Sequence, residues 1–156
     1  MRETGWAIFP ARQEILTGLI GVLARRGIDA QARLTHLVQM LDQLALEWNP
    51  RAVVYSQPSG IHWAVPALEM LESSLGEWAR RNQLPLFAYT AQEVRTAISG
   101  HPNVSKNQLA YQVMAGLGLI GTSRSAHEWE AIAVGHYHLY RRKARRALPR
   151  KITREI

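Results

Sequence analysis

The chain has 156 residues, of which 47% are hydrophobic and 20% are charged, a composition typical of one globular domain with a buried core. The absence of cysteine excludes a disulfide framework, a cysteine metal site and a cysteine nucleophile. No apolar run reaches the ~18 residues of a membrane span, and no secretion signal is recognisable, so we expect a cytoplasmic protein. The formal net charge of +7 favours an anionic partner.

The hydrophobic pattern predicts a pair of strands followed by alternating helices and strands. Apolar residues recur at helical spacing over 34–45, and Asn49-Pro50 ends that helix. The short run at 52–55 is wholly apolar, as in a buried parallel strand, and residues 56–60 are predicted to form a loop. An α/β fold with a mixed sheet flanked by helices follows from this order. The predicted elements are strands at 4–9 and 15–23, a helix at 29–48, a strand at 52–55, a helix at 62–82, a strand at 84–89, and helices near 91–99, 105–117 and 126–146.

Basic residues are concentrated at the C-terminal end, where no acid occurs from residue 141 until Glu155. We therefore predict a domain at 1–140 and a basic tail at 141–156. Such a tail favours a polyanion such as nucleic acid, because each neutralised phosphate releases counterions. A solvated tail without a partner, or one that binds an acidic membrane or protein surface, is the alternative. The basic residues are Arg141, Arg142, Lys143, Arg145, Arg146, Arg150, Lys151 and Arg154.

A histidine and a carboxylate stand three residues apart at the start of the last predicted helix. Positions i and i+3 share one helix face, so His127 and Glu130 are predicted to point to the same place. Imidazole and carboxylate are both ligands of divalent metals. The alternative is that the pair combines helix capping with a solvated charge.

Five segments in a particular order and spacing carry a family resemblance. They are Thr4-Gly5-Trp6-Ala7-Ile8-Phe9, Val53-Val54-Tyr55-Ser56-Gln57, Pro85 to Thr90 with Gln92-Glu93-Val94-Arg95, Asn103 to Leu109, and His127 to His138. Together they resemble the RuvC family of Holliday-junction resolvases over roughly residues 4–140. The resemblance implies an RNase H-like fold.

The resemblance also implies a nuclease site that holds Mg²⁺ or Mn²⁺, from which this chain departs. Glu130 and His127 match the pair on the family's closing helix, with Glu in place of the usual Asp. Lys106 resembles a family lysine near the scissile phosphate. Ser56 stands where the family has a bridging Glu, and a neutral hydroxyl does not offset the charge of two divalent ions. We therefore predict a degenerate and inactive site.

The family's first strand, which carries its first catalytic Asp, would lie before Thr4. The predicted fold is therefore an RNase H-like mixed sheet in which this central strand is missing. Without it, two sheet edges would be left unpaired in the interior. We expect a start upstream of Met1, which would restore the Asp but not the carboxylate missing at Ser56.

DNA contacts and a dimer surface are further implications of the resemblance. Arg95 and Lys106 match positions that face the DNA backbone, although both are also compatible with exposed helix charges. His62 and Trp63 follow the loop where the family places an aromatic wedge against junction bases. The alternative for Trp63 is a place in the core. The helix at 62–82 resembles the family's dimer-forming helix, with an ordinary core helix as the alternative.

These observations predict a RuvC-like protein that binds DNA, in particular four-way junctions, and has a degenerate nuclease site. Two alternatives stay open. One is an active Mg²⁺-dependent junction endonuclease that uses His127, Glu130 and an upstream Asp. The other is a non-catalytic RNase H-like interaction module. A continuous positive face formed by Arg95, Lys106 and the tail would favour DNA binding over the interaction module.

Overall fold

Strands and helices follow the predicted order in the computed structural model, which describes residues 3–11, 14–21, 30–57 and 66–147. The strands are β1 (Glu3–Ile8), β2 (Leu16–Gly21), β3 (Val53–Gln57) and β4 (Leu86–Thr90). The helices are α1 (Ala30–Trp48), α2 (Pro66–Arg81), α3 (Ala91–Ser99), α4 (Lys106–Gly116) and α5 (Ala126–Ala147). Within these ranges, no helix is long and apolar enough to cross a membrane.

The end predicted for the third strand is wrong. The strand predicted at 52–55 continues through Gln57, so Ser56 and Gln57 are not in a loop. Parallel pairing of Ser56 with Tyr89 and of Gln57 with Thr90 extends the strand. Because both residues are polar, hydrophobicity alone does not mark them as strand. The predicted turn residues 12–13, the helix start at Asp29 and the helix start at 62–65 lie outside the described residues.

The described strands form two separate two-stranded sheets. β1 and β2 pair antiparallel, with Trp6 opposite Gly18, whereas β3 and β4 pair in parallel, with Ser56 beside Tyr89. The strand directions are therefore mixed, as predicted. Within the described ranges, no ladder joins the hairpin to the parallel pair.

α5 is the centre of the hydrophobic core. It packs against β1, β2 and β3 and against α3 and α4. Ile132 and Ala133 are both 0% exposed. The buried cluster consists of Tyr89, Val94, Leu109, Val113, Trp129, Ile132, Ala133 and Val134. Because α5 contacts all these elements, side chains on its first turns can meet residues from several of them.

The hairpin approaches α5 closely at two glycines. A Cβ built on Gly5 would lie 2.1 Å from the carbonyl oxygen of His127, and one built on Gly135 would lie 2.3 Å from the ring of Phe9. Both distances are far inside van der Waals contact. Gly5 therefore lets the β1 backbone rest on the first turn of α5, and Gly135 makes room for the Phe9 ring.

α1 and α2 form a helical pair beside this core. Trp78 of α2 is 2% exposed, and its indole Nε1 donates a hydrogen bond to Asp42 Oδ1 over 2.7 Å. The carboxylate of α1 thus satisfies the one polar group of a buried indole.

Candidate functional site

The start of α5 is fixed by a capping box at Ser125 and Glu128. The backbone N–H of Ser125 donates to Glu128 Oε2 over 2.7 Å, and the N–H of Glu128 donates to Ser125 Oγ over 3.3 Å. The sequence signal for this cap is the Ser-x-x-Glu spacing, which lies two positions before the His127–Glu130 pair. The capping half of the alternative interpretation of His127 and Glu130 is therefore wrong, because Ser125 and Glu128 form the cap.

Hydrogen bonds keep the pKa of Glu128 below its ordinary value. Burial by itself raises this pKa, but the bonds from Ser125 and Thr17 and the charge of Arg124 outweigh it. The Thr17 hydroxyl donates to Glu128 Oε1 over 3.0 Å, and Arg124 Nε donates to Thr17 Oγ1 over 3.0 Å. The first turn of α5 is thereby tied to β2.

Replacing Glu128 by Gln should lower the free energy of unfolding at neutral pH by about 1 kcal/mol, because it weakens a charged cap. The folded pKa of Glu128 lies below the ordinary value of 4.5. The stability from this shift is therefore present above that value and is lost as the pH falls through the folded pKa. Urea unfolding gives the free energy of unfolding at about pH 6.5 and at about pH 3.5. The difference between these two values should be smaller in the variant than in the wild type.

Glu47→Gln is the matched control for this experiment, because Glu47 is an exposed carboxylate near the end of α1. It should leave the pH dependence close to that of the wild type. An equal change in both variants would contradict the role assigned to Glu128.

Three basic side chains surround the carboxylate of Glu130. Arg95 of α3 lies 3.6 Å from Oε1, and Lys106 of α4 lies 3.9 Å from the same oxygen. His127 Nδ1 lies 3.7 Å from Oε2. The structure thus brings together Arg95, Lys106, His127 and Glu130, which we call the Glu130 cluster.

Two helix caps place the cations of this cluster. Thr90 ends β4 and caps α3, where its hydroxyl accepts from the N–H of Glu93 over 3.1 Å. Ser105 caps α4, so Lys106 is the first helical residue there. Each cap fixes where its helix begins, and both cations lie within the first two turns of their helices.

The ion pairs of the Glu130 cluster are loose. Separations of 3.6 and 3.9 Å exceed hydrogen-bond distance. Pairs between partly exposed side chains contribute at most about 1 kcal/mol to stability. Arg95 and Lys106 oppose one carboxylate, which leaves a formal charge of +1 when His127 is neutral. Such a cluster favours an incoming anion over a divalent cation.

The donor set does not fit the pair of divalent ions that the resemblance implies. Two such ions need several carboxylates around them. The cluster offers one carboxylate and one imidazole, with two cations in contact with the carboxylate. In the part of the chain that the structure describes, no group of three or more His, Cys, Asp or Glu side chains is arranged to hold a metal ion.

Ser56 lies near the carboxyl end of β3, and its side chain is exposed. Its neighbour in β4 is Tyr89, one residue before the Thr90 cap of α3. α5 packs on β3, so the elements that carry Ser56 and Glu130 are in contact. The two side chains share no hydrogen bond in the described ranges, and their proximity stays a prediction.

Arg141, the first residue of the predicted basic tail, contacts the domain. Its Nη1 donates to Glu93 Oε1 over 3.1 Å, and its guanidinium lies 5.7 Å from the centroid of the Tyr89 ring. The hydroxyl of Tyr137 donates to the same oxygen of Glu93 over 2.8 Å. Burial and then Glu93 raise the pKa of Tyr137. Arg141 therefore helps to anchor the end of α5, and its role in DNA binding stays a prediction.

His138 of α5 lies in the core. It is 4% exposed, and its Nδ1 lies 2.8 Å from the hydroxyl of Tyr89. The ring of Phe87 lies 4.5 Å from the His138 ring, centroid to centroid. These contacts join β4 to α5 beside the anchor of Arg141.

Several predicted DNA-binding residues cannot be placed. His62 and Trp63 lie outside the described residues. The backbone of α5 continues as helix to Ala147, across the predicted domain boundary. The basic side chains that follow Arg141 in this helix lie outside the described part of the structure. They belong to Arg142, Lys143, Arg145 and Arg146.

The fold is RNase H-like, with a hairpin, a parallel strand pair and a closing helix. Two cations meet the first turns of that helix and form a candidate phosphate-binding site. The family model described as crossover junction endodeoxyribonuclease RuvC matches residues 1–138, and the chain belongs to this family. The predicted family and fold class are therefore confirmed.

Curated relatives bear the same family description over a shorter region. RuvC of Frankia alni is 36% identical over 63 residues, which are 40% of this chain and 32% of that protein. RuvC of Frankia casuarinae is 35% identical over 63 residues, which are 40% of this chain and 37% of that protein. The matches thus span about a third of the length of these relatives.

Solved structures match nearly the whole chain. A structure of Thermus thermophilus RuvC has a TM-score of 0.69 and 18% identity, and covers 91% of this chain and 89% of its own. T. thermophilus RuvC in complex with a Holliday junction substrate has a TM-score of 0.68 and 17% identity, with coverage of 83% and 80%. These neighbours establish the fold.

Proposed function

We propose that this chain binds four-way DNA junctions and that its metal-dependent nuclease centre is degenerate. The observation that carries the proposal is the Glu130 cluster, in which Arg95 and Lys106 face the single carboxylate. Ser56 adds no charge at the position where the family has a bridging Glu. Family membership and a structural neighbour in complex with a Holliday junction support DNA as the partner.

The charge around the cluster supports the same partner. No acidic residue occurs between Glu93 and Glu128, a stretch that includes α4, most of α3 and the connections that follow them. Arg95, Lys106 and Arg124 lie in this stretch. This stretch therefore contributes positive charge that Glu130 offsets only in part, and an excess of cations attracts the phosphate backbone of DNA without regard to sequence.

A homodimer through the helix predicted at 62–82 is part of the proposal. Its described portion is α2, which buries Trp78 against α1 and leaves Met70 38% exposed. Sedimentation of the protein with and without junction DNA measures the stoichiometry.

Affinity for a four-way junction should fall steeply with salt. With about six phosphate contacts, the slope of log K against log salt would be roughly −5. Removal of residues 142–156 keeps the Arg141 anchor and should flatten the slope, because it removes most of the basic tail. Gel shifts across a salt series measure the slope for the full protein and for the protein without residues 142–156. Binding that is absent in low salt, or indifferent to salt, would count against the proposal.

The protein should not cleave a four-way junction with Mg²⁺ or Mn²⁺, because the described donor set cannot hold two ions against the charges of Arg95 and Lys106. A junction cleavage assay compares the wild type with Ser56→Glu and Glu130→Ala. Metal-dependent cutting by the wild type that disappears in Glu130→Ala would overturn the degenerate centre and establish an active nuclease. Cutting gained only in Ser56→Glu would show a scaffold that has lost one ligand.

A further inference from the structure

A cavity lies at the corner between α3 and α4, outside the Glu130 cluster. Its volume is 340 Å³, near the lower end of the range for small-molecule sites. The wall contains an aromatic ring, two amides, an imidazole and an apolar side chain, namely Tyr111, Asn107, Gln112, His101 and Val104. The proposed function does not use any of these five residues.

Two other lining residues are committed to local structure. The Gln108 side chain accepts from the N–H of Ser105 over 3.2 Å as part of the α4 cap. The Ser99 hydroxyl donates to the carbonyl of Arg95 over 2.6 Å. By contrast, no residue of the described ranges hydrogen-bonds the side chains of Asn107, Tyr111 or Gln112.

Tyr111 is an unusual residue to expose on a helix. It is 65% exposed and lies two positions from the buried Leu109 and Val113, on the opposite side of the same helix. An exposed ring beside amide groups provides both a stacking surface and hydrogen-bond partners. Nucleobases present these two features to proteins, a π face and an edge of donors and acceptors.

The cavity also adjoins a cation that faces the proposed DNA backbone. Lys106 directly precedes Asn107 at the start of α4, and Arg95 is one helical turn before Ser99 in α3. No carboxylate lines the cavity. A strand whose phosphate contacts Lys106 lies beside the start of α4, the helix that also carries Asn107 and Tyr111.

We propose that this cavity binds an unpaired nucleobase of a DNA strand. Tyr111 stacks on the base, and Asn107 and Gln112 hydrogen-bond its edge. The inference rests on the proposed function, because the neighbouring phosphate is held by the cations of the Glu130 cluster. The site selects unpaired over paired bases, since a base in a duplex has both of its faces stacked and its Watson–Crick edge occupied.

The test compares two single strands of equal length and charge, an oligo(dT) strand and an abasic strand with the same phosphates. Wild type should bind oligo(dT) more tightly than the abasic strand by about fivefold to 100-fold for each stacked base. Tyr111→Ala should bring this ratio close to one, because alanine keeps the helix and removes the ring. Tyr111→Phe keeps the ring and should retain the ratio.

A salt series separates this inference from the proposed function. Tyr111→Ala removes no charge and should leave the salt slope unchanged, whereas Lys106→Gln should reduce its magnitude by about one. If the wild type binds oligo(dT) and the abasic strand equally well, or if Tyr111→Ala retains the preference for oligo(dT), the base site is overturned. Salt-dependent binding in the same experiment would leave the proposed function standing. Failure of the wild type to bind any of these strands or a four-way junction overturns the proposed function as well.

Discussion

Glu130→Gln should bind four-way junctions more tightly than the wild type. The carboxylate holds Arg95 and Lys106 at 3.6 and 3.9 Å in the free protein, and a DNA phosphate must displace it to contact them. The neutral amide removes this competition. Each cation released to a phosphate adds about 0.9 to the magnitude of the salt slope. Because each of these loose pairs contributes at most about 1 kcal/mol, removing the competition should raise affinity by up to about fivefold for each pair.

Two comparisons make this result specific. Glu47→Gln changes the net charge by the same amount away from the cluster, and should produce a much smaller gain. Lys106→Gln should have the opposite effect and weaken binding to every DNA. Gel shifts in EDTA and in Mg²⁺ measure all three variants. A loss of affinity in Glu130→Gln that occurs only in Mg²⁺ would indicate a metal-bridged complex and contradict the degenerate centre.

The elements of the fold were predictable because their patterns are local. The helix predicted at 91–99 has the bounds that the structure gives to α3, since apolar spacing and the Thr90 cap both act within a few residues. The end of β3 was not predictable in the same way. Ser56 and Gln57 are strand residues because β4 lies beside them, and a partner strand leaves no signal in a single polar dipeptide.

Sequence spacing predicts two of the four members of the Glu130 cluster, and the fold brings in the other two. His127 and Glu130 share a helix face, which the separation of three residues predicts. Arg95 and Lys106 reach the same carboxylate from two other helices, and only the family resemblance indicated that both belong near the DNA backbone. The ion pairs themselves come from the packing of α3 and α4 on α5.

Arg141 shows the limit of interpreting a charge run as one unit. The sequence groups it with the tail because no acid interrupts residues 141–154. The acid that pairs with it, Glu93, lies 48 positions earlier in the chain. Pairing across that separation depends on the fold. The sequence therefore offered no reason to separate Arg141 from the other basic residues of the tail.

Gly5→Ala should produce the largest loss of stability among the variants considered. The added Cβ would lie 2.1 Å from the carbonyl oxygen of His127 and 2.8 Å from the nitrogen of Glu128. These are backbone atoms of a helix turn and cannot rotate away, so β1 or α5 must shift. Overpacking of this kind costs about 1–3 kcal/mol and sometimes more. The shift should also displace the turn that carries His127 and Glu130.

Gly76→Ala is the matched control, because nothing lies within 4 Å of a Cβ built at that position of α2. It should stabilise the protein by about 0.5–1 kcal/mol, since alanine favours a helix over glycine. If the β1 backbone rests on α5, urea unfolding should show a lower free energy of unfolding than the wild type for Gly5→Ala and a higher one for Gly76→Ala. A Gly5→Ala protein as stable as the wild type would show that the hairpin does not contact the first turn of α5 in solution.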